Sequence, residues 1–443
     1  MTDATDHRLA AQYEAYPYPA RDPADEARRL VVGSPSQLRE IDHWVFGAAR
    51  PASRPLRALV AGGGTGDGAI MLAQQMATAG RLGRVTYLDR SEAAMAVAKA
   101  RAAARGLTLD WVLGSLLDLP TLGLEPFDYI DCCGVLHHLP DPASGLSALM
   151  AVLAPGGGMG LMVYAPHGRT GVYMLQDALH LLAPPDEAPA ARLDTARRMM
   201  RHLPDSAWLR RNTLFADHIT GGDAGLYDLL LNPRDQAFTV SGLFALLDAA
   251  GLGGACLMEP MRYDPAIYLP DPRLRARIAA LDPRARAAVA EALCGNMSTH
   301  VVYCTRTPVP PPDPMRPDAV PVMREMGAEL AGPGLVGPEL VGPGLVGPQL
   351  AGAALAGSAL VGAALAGAIR ADGTLPFLFD GLRVPVALPP LAGSILRLVD
   401  GRRSVAQIAS ALPAGPGVAF DRAWRATYGA LSALNRLLLG PPA

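Results

Sequence analysis

Cysteine is scarce in this chain and never set in a CxxC pair: there are five, at 132, 133, 256, 294 and 304. Cys132 and Cys133 fall in a run that reads as a buried strand, so all five are expected to be reduced core residues in a reducing compartment. Charge of one sign is also lacking. The formal net charge is −2, which leaves out the electrostatic footprint of a nucleic-acid binder. The opening residues MTDATDHRLA are polar and contain no apolar h-region, so no secretory signal is expected and a cytoplasmic location is the default. What the chain does have is size: 443 residues, 50% of them hydrophobic. That gives room for two or three domains and for a core of catalytic dimensions.

The most informative stretch is RALVAGGGTGDG, Arg57 to Gly68. Leu56 to Ala61 reads as a short buried strand, followed by glycines at alternate positions 62, 64 and 66, and then by helical spacing from Asp67 to Gly80. The next apolar run, Arg84 to Leu88, ends in Asp89, where a nucleotide ribose would lie. Strand, glycine turn, helix, strand and acid make half a Rossmann unit. A dinucleotide fold wants G-x-G-x-x-G. Here the third glycine comes one residue early, and Asp67 stands where the dinucleotide glycine would fall. A negative charge at a helix start suits a ligand without phosphates, and better still one carrying a cation.

The alternation continues. Ser91 to Gly106 is an Ala-rich helix with Ser91 as its cap, and Leu107 to Leu113 is a third strand. Phe127 to Cys133 is a fourth strand, Ala143 to Leu153 a helix stopping at Pro155, and Gly160 to Tyr164 a fifth strand. Residues 168–236 are largely helical, Ser241 to Gly251 is a helix, and Ala255 to Glu259 and His300 to Arg306 are the last two strands, around a helical insert at 261–298. Short apolar strands separated by helices imply right-handed crossovers and one parallel sheet.

With these segments placed, residues 57–166 resemble class I S-adenosylmethionine-dependent methyltransferases. The resemblance rests on VAGGGTGDG (60–68), YLDRS (87–91), GSLLDLP (114–120), FDYIDCCGVLHHLPDP (127–142) and LMAVLAPGGGMGLMVY (149–164). It implies an α/β, Rossmann-like seven-stranded sheet with the final strand antiparallel, reaching to about residue 307. It also implies S-adenosylmethionine as cofactor and methyl transfer to an acceptor. The cofactor set it marks is Ala61, Gly62, Gly64, Thr65, Gly66, Asp67, Asp89, Arg90, Ser115, Leu116, Gly134 and Val135. Asp89 would take both ribose hydroxyls, unless it only caps the helix near Ser91. Ser115 occupies the place of an acid beside the adenine amino group, with Asp118 three residues on. One departure stands out: many family members carry an acid in the first strand where this chain has Val60. Asp67 either takes over support of the glycine turn or is only an acid favoured by the helix dipole.

Acceptor-side candidates are fewer. His137 and His138 follow the fourth strand, and His138 and His218 are the candidate bases, against the reading that each merely packs. No third ligand accompanies the histidine pair, so no metal site is expected. The Asn/Asp-Pro-Pro-Tyr pattern of nucleobase amino-methylating enzymes is missing. Tyr16, Tyr18, Tyr164 and Arg169 are candidate substrate contacts. The aromatic, proline-rich QYEAYPYPARDP (12–23) reads either as a lid over a sulfonium, with Tyr13, Tyr16 and Tyr18 facing it, or as an arm packed outside.

The organisation expected is an N-terminal arm or lid at 1–50, a methyltransferase domain at 51–307 with a helical cap at 168–236, a linker and repeat at 308–375, and a small helical or winged-helix-like module at 376–443. The repeat runs in fives from Ala328 to Gly367, always with Leu third and Gly last. A pentapeptide β-helix, a membrane helix and a low-complexity spacer compete for it, the spacer being the plainest. The acceptor favoured is a small molecule, with protein or RNA behind it. A binding scaffold that lost turnover is the alternative, and the C-terminal module is a candidate protein-docking unit. No nucleic-acid or membrane partner is indicated.

Overall fold

The structure, a computed structural model, describes residues 4–212, 217–324, 357–413 and 417–442. Seven strands make one sheet: β1 Leu56–Ala61, β2 Gly83–Asp89, β3 Asp110–Leu113, β4 Phe127–Cys133, β5 Leu153–Tyr164, β6 Gly254–Leu257 and β7 Thr299–Thr305. Their order is β3-β2-β1-β4-β5-β7-β6. Strands β1 to β5 are parallel, and β7 runs antiparallel to both β5 and β6. Central strands such as LRALVA are apolar on both faces because helices cover both. On one face, Ala58 and Val60 pack with Ile70, Leu72 and Ala98 of the helices Asp67–Thr78 and Glu92–Ala104. On the other, Leu59 and Ala61 share a core with Leu146, Leu149 and Leu243 of the helices Pro142–Ala151 and Val240–Ala249.

Several boundaries differ from the sequence expectation, two of them by more than a few residues. Strand β5 begins at Leu153, not Gly160, and runs through Pro155 and the glycines. A bulge between Phe127 and Tyr129 shifts the β4–β5 register and absorbs a stretch that reads as a turn. Residues 38–46 are not an arm, because Leu38, Ile41, Val45 and Phe46 are buried in the sheet core. The true arm is residues 16–37, preceded by the helix Ala4–Ala15. The cap, including the helices Val172–Leu182, Pro189–Arg201 and Gly222–Leu231, has its own small core around Leu179, Leu193, Tyr227 and Leu230.

The C-terminal module starts earlier than residue 376. Its core around Phe377, Ile395, Trp424 and Leu431 is built by the hairpin β9 Thr374–Phe379 and β10 Leu382–Ala387 and by three helices, Ala392–Leu398, Val405–Ala411 and Val418–Ala433. Strand β8, Pro321–Met323, pairs with β11, Leu437–Leu439, closing the module. The last two repeat units form the helix Gly357–Ala368, which buries Val361, Leu365 and Ala366 in the same core. Val361 and Leu365, four apart, fall on one helical face. The repeat before residue 357 lies outside the described residues. The Met323 amide donates to Ser358 Oγ at 3.2 Å, which ties β8 to the start of that helix.

The module docks on the chain's own sheet domain through Glu40. This fully buried carboxylate accepts from Ser34 Oγ at 2.8 Å, Tyr303 OH at 2.8 Å, Asn435 Nδ2 at 2.9 Å and the Arg324 guanidinium. Removing one partner of a buried ion pair costs about 3–5 kcal/mol. Nearby, His43 Nδ1 accepts the Leu439 amide at 2.9 Å. Among the described residues, no helix is long and apolar enough to cross a membrane.

Candidate active site

The carboxyl ends of β1, β2 and β4 open into a cavity of about 600 Å³, within the range of small-molecule sites. The N-terminal helix, the arm and the cap line its outer side: Tyr13 from the first, Tyr18 and Pro19 from the second, and Arg169 and Asp228 from the third. Of the residues marked from sequence, the structure brings Gly62, Gly64, Asp67, Asp89, Arg90, Ser115, Leu116, Gly134 and Val135 to one side of this space. His138, Tyr18, Tyr164 and Arg169 join them.

Five marked residues do other work. Ala61 is buried in the sheet core. Thr65 donates its hydroxyl to the Pro19 carbonyl at 2.7 Å, fixing the arm. Gly66 (φ 104°) begins the Asp67–Thr78 helix, and a Cβ there would sit 2.9 Å from Ala98 and Ile70, so its role is helix packing. Tyr16 turns away and stacks on Tyr227 of the cap at 5.1 Å. His218 lies on the short helix Asp217–Thr220 and does not line the cavity, because the following helix supplies that wall with Asp228. Cysteine is not purely core either: Cys133 lines the cavity, although Cys132 and Cys304 are buried.

The glycine turn is held from three directions. Asp89 ends β2, and its Oδ2 accepts the Gly64 amide at 2.8 Å while Oδ1 accepts the Ser91 amide at 2.9 Å. Burial raises its pKa against the pull of those amides. Two oxygens carry more lone pairs than two amides use, so Asp89 keeps acceptor capacity on the cavity wall. Tyr87 OH donates to the Gly64 carbonyl at 2.6 Å. Gly64 itself (φ 51°) has the Tyr18 carbonyl only 2.8 Å from where a Cβ would stand, so the arm crosses this turn in close contact.

Asp67 does both things considered for it. It sits in the first turn of the Asp67–Thr78 helix, where the macrodipole favours an acid. It also clasps Arg21 of the arm (Nη2 to Oδ2, 2.6 Å) and Arg101 of the Glu92–Ala104 helix (Nη1 to Oδ1, 2.6 Å). Burial pushes its carboxyl up, but the two guanidiniums outweigh burial and hold it below the usual carboxylate range. Arg101 donates as well to the Thr65 carbonyl at 2.8 Å and to Glu26 of the arm at 2.6 Å. Sequence reading missed Arg21 and Arg101, which carry no motif.

The far end of the cavity is aromatic and polar. The carboxylate of Asp228 takes the hydroxyls of Tyr13 (3.0 Å) and Tyr164 (3.3 Å) and the amides of Asn232 (3.2 Å) and Gln12 (3.4 Å), all uncharged donors. Tyr164 is sandwiched between the His137 ring at 3.8 Å and the Arg169 guanidinium at 3.7 Å. Arg169 is in turn paired with Asp235 at 2.6 Å. Burial, then Asp228, pushes the Tyr13 and Tyr164 phenols well up, so both stay protonated. His138 Nδ1 lies 2.7 Å from the Arg234 carbonyl. A carbonyl only accepts, so Nδ1 is the donor, and in the neutral ring Nε2 is then the acceptor. His137 is held well below its ordinary value by burial, and then by His138 and Arg169. Among the described residues, no group of three or more His, Cys, Asp or Glu is placed to hold a metal ion.

These donors fit S-adenosylmethionine. The cavity wall carries the carboxylates of Asp67, Asp89, Asp131 and Asp228 against the guanidiniums of Arg90 and Arg169, a balance suited to a cationic ligand without phosphates. Residues 59–159 match the family described as methyltransferase domain. The solved structure of PKMT2 from Rickettsia typhi in complex with AdoHcy superposes with a TM-score of 0.55 at 13% identity, covering 96% of this chain and 76% of that one. The chain therefore has the fold of class I S-adenosylmethionine-dependent methyltransferases, and within it residues 59–159 match a methyltransferase domain. An uncharacterised protein of Synechococcus sp. is 29% identical over 323 residues, 70% of this chain and 74% of that protein. A ubiquinone biosynthesis O-methyltransferase of Thiobacillus denitrificans is 33% identical over 136 residues. That match takes in 31% of this chain and 53% of the relative, about half its length.

Proposed function

We propose that the enzyme methylates a small molecule through a nucleophilic oxygen, seated between His138, Tyr13, Tyr164 and Asp228. The observation that carries this reading is the 2.7 Å contact between His138 Nδ1 and the Arg234 carbonyl, which in the neutral ring makes Nδ1 the donor and Nε2 the proton acceptor. S-adenosylmethionine supplies the electrophilic methyl carbon. Oxygen forms the new bond to that carbon, the carbon–sulfur bond breaks with its electron pair going to sulfur, and the hydroxyl proton passes to His138 Nε2. Tyr13 and Tyr164 orient the acceptor through hydroxyls that Asp228 fixes. The arm and cap exclude water, so alignment supplies most of the remaining acceleration. A cavity of about 600 Å³ supports a small acceptor rather than a macromolecule. The relatives named as ubiquinone biosynthesis O-methyltransferases, of which one is 29% identical over 182 residues, support a hydroxyl.

The test is a screen of small phenols and hydroxy acids for methyl transfer, repeated on His138→Gln. General-base loss predicts a fall in turnover of about 10²- to 10⁴-fold with cofactor affinity unchanged. Full turnover in the variant would remove His138 from the mechanism.

A further inference from the structure

One carboxylate on the cavity wall has no task in the account above. Asp131 lies in the middle of β4, 1% exposed, and lines the cavity. Its Oδ2 accepts the Ser36 hydroxyl from the arm, while its Oδ1 is buried with no hydrogen-bond partner. A buried carboxylate oxygen left unpaired is costly, and a ligand group donating to it would remove that cost. Burial pushes this carboxyl up to about 7, against the pull of the Ser36 hydroxyl and the Cys133 amide, so the protein alone does not stabilise its charge.

The position of Asp131 narrows what that ligand group is. In the β1–β4 register Asp131 is paired with Val60, so the two side chains stand side by side on one face of the sheet, two residues before Gly62. Asp131 Oδ2 would be 3.0 Å from a Cβ at Gly68, in the first turn of the helix that follows the glycine turn. The carboxylate therefore sits beneath the turn, at the opposite end of the loop from Asp89, which marks the ribose end. Among the described residues lining that end of the cavity, the other carboxylate is Asp67, which is already clasped by Arg21 and Arg101. The end of S-adenosylmethionine away from its ribose carries an α-ammonium group, a cation with three donors and no acceptor.

We infer that Asp131, reaching across from β4 to the place Val60 leaves apolar in β1, is the binding residue for the α-ammonium group of the cofactor's methionine portion, with Ser36 of the arm as its positioning residue. The inference rests on S-adenosylmethionine being the cofactor. It links arm closure to that end of the ligand, since Ser36 lies in the same arm as Tyr18 and Arg21.

The experiment is a two-by-two titration calorimetry series on the full chain: wild type and Asp131→Asn, each with S-adenosylhomocysteine and with its deamino analogue, which lacks only the α-amino group. A charge-assisted hydrogen bond predicts that wild type binds the deamino analogue about ten- to a hundredfold more weakly. Asp131→Asn should bind S-adenosylhomocysteine more weakly by a similar factor and the deamino analogue no worse than wild type does. Equal affinity of wild type for the two ligands would overturn the inference even if the variant failed to fold. So would a variant that discriminates between them as wild type does. Failure of wild type to bind S-adenosylhomocysteine at all would instead overturn the cofactor assignment, and the inference with it.

Discussion

Arg21→Ala is the perturbation that isolates the arm from the rest of the cofactor site. Arg21 reaches from the arm to Asp67 with three short contacts, Nη2 to Oδ2 at 2.6 Å and Nε to Oδ1 and Oδ2 at 3.0 and 3.1 Å. Both side chains are about a quarter exposed, at 25% and 26%. An exposed pair is worth at most about 1 kcal/mol, and breaking a fully buried one costs about 3–5. This bidentate, partly screened pair therefore falls near 1.5 kcal/mol, about tenfold in an equilibrium constant. The substitution leaves Asp67 charged but still paired with Arg101 at 2.6 Å, so the sheet and glycine turn should keep their shape. The loss should appear in how long the arm stays shut. Stopped-flow displacement of S-adenosylhomocysteine should show dissociation about tenfold faster, with the association rate and melting temperature little changed. An unchanged dissociation rate would refute the arm's role as a closure. A fall of more than 10 °C in melting temperature, by contrast, would mean the pair supports the fold rather than the lid.

Two further outcomes follow from the same geometry. Gly64→Val should abolish cofactor binding while the sheet still folds, because the new side chain strikes the Tyr18 carbonyl at 2.8 Å and needs φ near +51°; retained calorimetric binding would contradict the tight crossing of arm and turn. His43, whose ordinary value of 6.5 is lowered by burial to about 4, is neutral in the docked module. Its contribution to stability is complete above pH 6.5 and is lost as pH falls toward 4, by about 3 kcal/mol in all. Asp42 and Asp131, raised by burial to about 6 and about 7, act with the opposite sign in part of that window. The clean readout is therefore the difference between denaturation curves of wild type and His43→Gln from pH 7 to pH 4. Parallel curves would show that His43 does not gate the docking of Leu439.

The sheet was readable from sequence because each strand is bounded by a glycine turn or a helix cap, and Phe127–Cys133 in particular is found where the apolar run places it. Strand β5 reads short in the sequence because Pro-Gly-Gly-Gly carries the chemistry of a turn, and only the β4 bulge reveals that it continues as strand. Asp89 was legible from its place at a strand end. Asp131 was not: in a strand covered on both faces, side-chain polarity has no period, and nothing local says that an acid faces ligand. Arg21 and Arg101 were hidden for another reason, since each acts through a partner 46 or 34 residues away. The helix Gly357–Ala368 was obscured by composition, its Ala and Gly reading as spacer until the module core supplied a surface for Val361 and Leu365.

The hydrogen bond between Met323 and Ser358 has a consequence for how this chain can change over generations. Both anchors belong to one module, which is complete on either side of them: β8 is already paired with β11, and the helix Gly357–Ala368 is already seated. Whatever the number of five-residue units between those two points, the tract is therefore attached at the same pair of residues. Variants with one unit more or fewer there should keep the melting temperature of the parent chain; a shift of several degrees would show that the tract itself carries part of the fold.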